Sequence, residues 1–185
     1  MRTPIPVPFA DEPVLTAVAH HWAGLCGGRP IPDYAMLDVI RLPRFTLPHL
    51  VLAEPAETAG AIRFRLVGTA MVEKFQTDFT GRTTADVMTG SYRLYIESLF
   101  ARCLDQQAPV YSESTFRWDA AGFVTTRRLM LPFSRGGSEA RMVMVAQTWP
   151  PQNPGMPPAW QVIDGSSFES GTCEVLETGR LDDLS

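Results

Sequence analysis

Apolar residues return along this chain at two spacings, and the change from one to the other marks out its elements. Val14, Leu15, Val18, Trp22 and Leu25 recur at three- and four-residue intervals, which puts them on one face of a helix. Asp11 can accept bonds from the unpaired N–H groups of its first turn, and Pro13 is tolerated there. Gly27-Gly28 offers the left-handed stop. Pro30, Pro32 and Pro43 then bound a short helical patch over 33–40, and Leu47-Pro48 leads into an apolar run, 49–53, of strand length. After a turn at Thr58-Ala59-Gly60, Ile62-Arg63-Phe64-Arg65-Leu66-Val67 opens in strict alternation, the mark of a half-buried strand, and Gly60 makes the pair an antiparallel hairpin. Short helical pieces over 69–75 and 83–88 flank a turn at Asp78-Phe79-Thr80-Gly81. The longest stripe is Tyr92, Tyr95, Ile96, Leu99, Phe100, Cys103 and Leu104, a helix from about Ser91 that Pro109 ends. Three strands, 110–118, 123–133 and 140–149, follow with glycine-containing turns between them. Helices set to one side of an antiparallel sheet, with an extra amphipathic helix in front, predict an α+β fold.

Composition changes this picture mainly at the end of the chain. A length of 185 residues, 45% of them hydrophobic, fits one compact domain with extensions. The net charge is −4, yet residues 150–185 hold six acids and one base, so the first 149 residues sum to +1. With Pro150, Pro151, Pro154, Pro157 and Pro158 at its start, that stretch reads as an extended linker and an acidic, weakly ordered end. Trp160, Val162, Ile163 and Phe168 are apolar enough to lie on a partner or back on the domain. The expected organisation is therefore an extension with the amphipathic helix over 1–28, a domain over 29–149, and a proline-rich linker with an acidic tail over 150–185.

The same composition excludes several classes of role. Lys and Arg gather in no cluster and no recognition motif appears, so nucleic acid is not an expected partner. No run approaches the roughly 18 apolar residues that span a bilayer, and Pro4, Pro6 and Pro8 interrupt the start where a signal peptide needs an unbroken apolar stretch. Cys26, Cys103 and Cys173 are odd in number and far apart, which points to neither a disulfide framework nor a zinc site. A cytoplasmic protein with no membrane partner is expected. His20 and His21 are neighbours, about 100° apart on a helix, and do not chelate one ion as an i, i+4 pair does. No Gly-x-Ser-x-Gly, His-Glu-x-x-His or Walker pattern occurs. Arg63, Arg65, Arg127 and Arg128 could hold a carboxylate or phosphate by forked hydrogen bonds, although a solvated outer face explains them with less effort.

The element order, two strands, several helices, then three strands, resembles a PAS domain. Arg29-Pro30-Ile31-Pro32 with Asp38 and Leu47-Pro48 sharpens the resemblance. So do Phe64-Arg65-Leu66-Val67-Gly68-Thr69, Asp78-Phe79-Thr80-Gly81-Arg82 and Leu129-Met130-Leu131-Pro132-Phe133-Ser134. Together they are similar to a group of bacterial PAS proteins that carry one such domain and no catalytic output module. Gly68 is expected to permit a sharp strand-to-helix turn, and Gly81 a break between short helices. The resemblance implies a five-stranded antiparallel sheet that encloses, with short helices, a cavity for a small ligand or cofactor. It also implies a sensory, regulatory or assembly role, commonly as a homodimer through the flanking helix. The stripe from Val14 to Leu25 fits such an interface and fits equally a packing on the sheet of its own chain.

Cofactors of that superfamily are tested residue by residue. The Asn-Cys-Arg tripeptide of flavin photosensors is absent, the histidines (His20, His21, His49) lie outside the helical layer that ligates haem, and the cysteine context of coumaroyl photoreceptors is missing. The cofactor is left unknown. Candidate cavity residues are Phe64, Leu66, Met71, Phe75, Leu99, Cys103, Met142 and Met144; the alternative for each is plain core. The leading expectation is a non-catalytic bacterial signalling module that binds a small molecule or a protein partner. The alternatives are a small isomerase- or hydrolase-like enzyme using the cavity, for which no acid or histidine lies in the apolar stripes, and a ligand-free dimeric scaffold.

Overall fold

The structure, a computed structural model, describes residues 7–117, 123–149 and 167–182. Helix α1 runs over Pro13–Cys26 and stops at Gly27, whose φ of 54° is left-handed. Its N-cap is Glu12, which accepts from the Val14 N–H, while Asp11, the expected cap, is held by Arg127 at 3.0 Å. The helical patch expected over 33–40 is broken into 3-10 turns at Tyr34–Met36 and Val39–Arg41, with a third at Leu47–His49. Asp33 and Asp38 each accept from the N–H two residues on, so each starts a new turn rather than letting one helix run through.

Strands β1 (Leu50–Pro55) and β2 (Ile62–Val67) form the expected hairpin. Helices α2 (Thr69–Phe75), α3 (Thr84–Val87) and α4 (Gly90–Gln106) follow, then β3 (Val110–Arg117), β4 (Phe123–Ser134) and β5 (Ala140–Thr148). The acidic end departs from expectation. It supplies β6 (Phe168–Gly171), β7 (Glu174–Val175) and a short helix α5 (Gly179–Asp182), both strands pairing with β3. Among the described residues the sheet thus has seven strands, the five expected and two added, in the order β2-β1-β5-β4-β3-β6 with β7 also on β3, and these strands all pair antiparallel. Hydrophobic gain explains the added strands: Leu176 and Leu181 are fully buried, and the Phe168 ring lies 5.0 Å from Tyr95, 5.5 Å from Tyr92 and 5.6 Å from Phe116. Trp160, Val162 and Ile163 lie outside the described residues.

The sheet is covered on both faces. On one face α1 packs Leu15, Val18 and Trp22 against Leu129, Leu131, Phe133, Met142 and Met144. The Trp22 indole N–H donates to the Pro132 carbonyl at 2.9 Å. Of the two readings of the α1 stripe, the structure shows the packing within one chain, which leaves its buried side chains no surface to offer a second copy. On the other face α2, α3 and α4 lie over Val51, Phe64, Val110, Met130, Val143 and Val145. Gly68 joins β2 to α2 with ordinary extended angles, φ −68° and ψ 154°. Glycine is needed there for approach rather than conformation, because a Cβ would lie 2.3 Å from the Pro48 carbonyl oxygen. Gly81, with φ 82°, does use its conformational freedom. Among the described residues no helix is long and apolar enough to cross a membrane.

Candidate functional site

Between the sheet and α2–α4 lies a cavity of ≈ 40 Å³. Most of its wall is apolar: Val51, Phe64, Met71, Phe75, Phe79, Met88, Ile96, Phe100, Met130 and Val145. The rest is Tyr92, Arg128 and Gln147. Strand register explains how those polar groups meet. Ser112 on β3 stands opposite Arg128 on β4, and Arg128 stands opposite Gln147 on β5, so the three form one row across the sheet. Ser114 and Thr126 form the adjacent pair. In-facing positions alternate with out-facing ones along a strand, and Val110, Phe116, Met130, Val143 and Val145 on the same strands face the helices.

Arg128 is 3% exposed, and its N–H groups go to neutral acceptors. Nε donates to Gln147 Oε1 at 3.0 Å, Nη1 to Ser114 Oγ at 2.6 Å and marginally to Ser112 Oγ at 3.5 Å, and Nη2 to the Tyr92 hydroxyl at 3.0 Å and Thr126 Oγ1 at 3.1 Å. No carboxylate among the described residues pairs with it. Its donors are spent and its geometry is fixed, but among the described residues its positive charge has no counter-charge. A buried ion in that state carries an effective penalty of several kcal/mol.

The bond from Arg128 Nε also fixes the orientation of the Gln147 amide, since only the oxygen can accept. The amino group then points away from the guanidinium. Gln147 is 4% exposed, and its Nε2 has no hydrogen-bond partner among the described residues. Tyr92, 1% exposed, accepts from Arg128 and keeps its own O–H. Burial pushes this phenol above its ordinary value, with Arg128 acting in the opposite sense, so it stays protonated near neutral pH. Around this row the Tyr95 hydroxyl bonds Ser112 at 2.6 Å and donates to the Thr172 carbonyl at 2.8 Å, tying α4 and the end of the chain to β3. His49 Nδ1 lies 3.0 Å from the Gln147 carbonyl at the partly buried edge.

The candidate residues read from the sequence divide three ways. Phe64, Met71 and Phe75 line the cavity. Leu99 and Cys103 are buried in the same helix-side cluster without reaching the lining, and the Cys103 thiol, pushed up by burial, faces the Met130 carbonyl at 3.7 Å. Leu66, Met142 and Met144 are elsewhere. Leu66 is 40% exposed, because the β1–β2 register shifts between Leu52 and Ala53 and interrupts the alternation begun by Ile62 and Phe64. Met142 and Met144 face α1; the intervening Val143 and the next residue, Val145, face the helices. The arginines also part company. Arg63 bonds the Gly81 carbonyl, Arg65 pairs with Glu54, and Arg127 pairs with Asp11 and Glu113 at the surface. A solvated outer face does not describe Arg128, whose neighbour Arg127 takes the outward position and turns it inward.

Among the described residues the lining contains no carboxylate and no imidazole. Among the described residues no group of three His, Cys, Asp or Glu side chains gathers to hold a metal ion. A family model described as PAS domain matches residues 10–145. No curated protein matches the chain.

Proposed function

The chain belongs to the PAS domain family, whose members are in general sensory or regulatory modules, and from that premise we propose that it senses a small molecule held in the cavity and acts without catalysis. The cavity itself carries this reading. It is lined by side chains that adapt in shape, Met71, Met88 and Met130 among aromatic rings, and it has one polar edge built from Tyr92, Arg128 and Gln147. General acid–base chemistry needs a group that gives up or takes a proton near neutral pH, and the ionisable side chains of the described lining are Tyr92, held protonated, and an arginine.

Occupancy can be passed on by the elements that share the lining. Arg128 contacts β3, β5 and α4 at once, and Tyr95 extends the network to Thr172. A ligand that shifts this row shifts the end of the chain with it. A protein partner in bacterial signalling, in the cytoplasm, completes the proposal and meets surfaces other than the buried α1 stripe. Native mass spectrometry of the full chain, followed by extraction, tests it. A small mass retained under native conditions and lost on denaturation is expected; turnover of a metabolite with no retained or added ligand overturns it.

A further inference from the structure

We infer that the cavity selects a short-chain carboxylate over neutral compounds of the same size. This rests on the ligand-binding reading above and adds the chemical class. Three observations converge on it. Arg128 brings a buried positive charge that no carboxylate among the described residues offsets. Gln147 Nε2 is a buried donor with no partner among the described residues. The Tyr92 hydroxyl, having accepted from Arg128, meets no acceptor for its own proton among the described residues. An edge of positive sign with two uncommitted donors fits an anion with two acceptor oxygens. Water satisfies the donors but leaves the charge.

Shape narrows the class. A volume of ≈ 40 Å³ corresponds to roughly three water positions on the same scale, about the size of acetate or propionate. Apart from the polar edge the wall is hydrocarbon, aromatic ring and thioether, which suits an alkyl end and penalises a second charged group. A phosphate or a dicarboxylate brings more acceptors than the edge has donors. Because the guanidinium is held on both sides by Ser114, Thr126 and Gln147, it contributes field from a fixed position without spending a further N–H.

Calorimetric titration of the full chain at constant ionic strength tests the inference with propionate, propanol, propionamide and hexanoate as probes. Propionate is expected to bind at least tenfold more tightly than the two neutral probes, and hexanoate more weakly than propionate. Gln147→Met keeps the volume and removes the donor, and is expected to weaken propionate at least tenfold. Gln147→Glu places a carboxylate beside Arg128 from within the chain; with an unchanged circular dichroism spectrum it is expected to abolish propionate binding. Tyr92→Phe supplies an independent loss should either variant fold poorly. Equal binding of propionate and propanol overturns the anion inference and leaves the cavity reading standing. Binding of no probe, with no mass retained in the native spectrum, overturns both. Propionate binding unchanged in Gln147→Met and Tyr92→Phe places the anion elsewhere and also overturns the inference.

Discussion

Replacing Trp22 by alanine and by phenylalanine separates the two roles that an apolar helix in front of the sheet can have. Trp22 is fully buried within the α1 face of its own chain and donates to the Pro132 carbonyl on β4 at 2.9 Å. Truncating a buried aromatic to alanine costs about 3–5 kcal/mol through lost transfer energy and the void left behind. Phenylalanine keeps most of the ring and strands the carbonyl, a cost of about 1–3 kcal/mol. For a chain of this length each kcal/mol lowers Tm by about 2–4 °C. Trp22→Ala is therefore expected to melt about 10–15 °C below the parent chain, and Trp22→Phe to fall between them. Urea unfolding followed by far-ultraviolet circular dichroism reads the loss, with the midpoint falling and the slope unchanged. Light scattering on the same samples reads the mass. A Trp22→Ala chain that unfolds where the parent does, while splitting a dimer into monomers, would refute the reasoning, because the helix would then be stabilising an interface between copies.

Three further outcomes follow from local geometry. A Cβ at Gly171 would lie 2.2 Å from the Tyr95 ring, so Gly171→Ala is expected to displace Tyr95 from Ser112 and Thr172 and to cost about 1–3 kcal/mol; hydrogen exchange of β6 and β7 amides checks it by accelerating before that of β4. Asp33, Asp78 and Asp86 have carboxyls lowered from 3.8 chiefly by backbone N–H bonds, and Asp11 chiefly by its bond to Arg127. Folded values below unfolded ones mean that this stabilisation is complete above about pH 4 and is lost as pH falls through the folded values. Urea midpoints measured from pH 6 down to pH 2 should fall only in the lower part of that range, with a shallower fall in Asp33→Asn. Cys26 and Cys103 are buried and Cys173 is exposed. A chromogenic disulfide reagent is expected to label Cys173 alone in the folded chain, slowly at neutral pH because partial burial raises its thiol, and all three cysteines in denaturant.

Much of the architecture followed from local patterns. The hairpin of β1 and β2, helices α2 to α4 and strands β3 to β5 come from periodicities of 2 and 3.6 that packing leaves intact. Two features were hidden for definable reasons. The strands at the end of the chain are short and carry polar residues such as Glu169 and Glu174, so their place is decided by pairing with β3 and by Phe168, Leu176 and Leu181 finding pockets made by distant residues. The facing of β5 was hidden because this strand is buried on both sides. Met142 and Val143 are equally apolar, and only the register with β4 assigns one to α1 and the other to the helices.

The polar row was closer to view. Arg127 and Arg128 are adjacent on a strand, so one of them must face inward. Counting in steps of two from Met130 selects Arg128, and the same parity brings Thr126 to that face. Ser112 and Ser114 share the parity of Val110 and Phe116, the apolar residues of β3 that face the helices. What single-strand counting does not contain is the cross-strand register that aligns Ser112, Arg128 and Gln147, which depends on the lengths of two turns.

The central claim is that a small molecule enters the space between the sheet and α2–α4, and the methionines report on it directly. Met71, Met88 and Met130 line the cavity, whereas Met142 and Met144 lie on the opposite face of the same sheet. In a carbon-13 methyl-methionine spectrum of the full chain titrated with propionate, the first three signals are expected to shift together and saturate, while the other two stay in place. Signals of Met71, Met88 and Met130 that do not move at saturating propionate, or shifts that appear at Met142 and Met144 instead, would contradict the account.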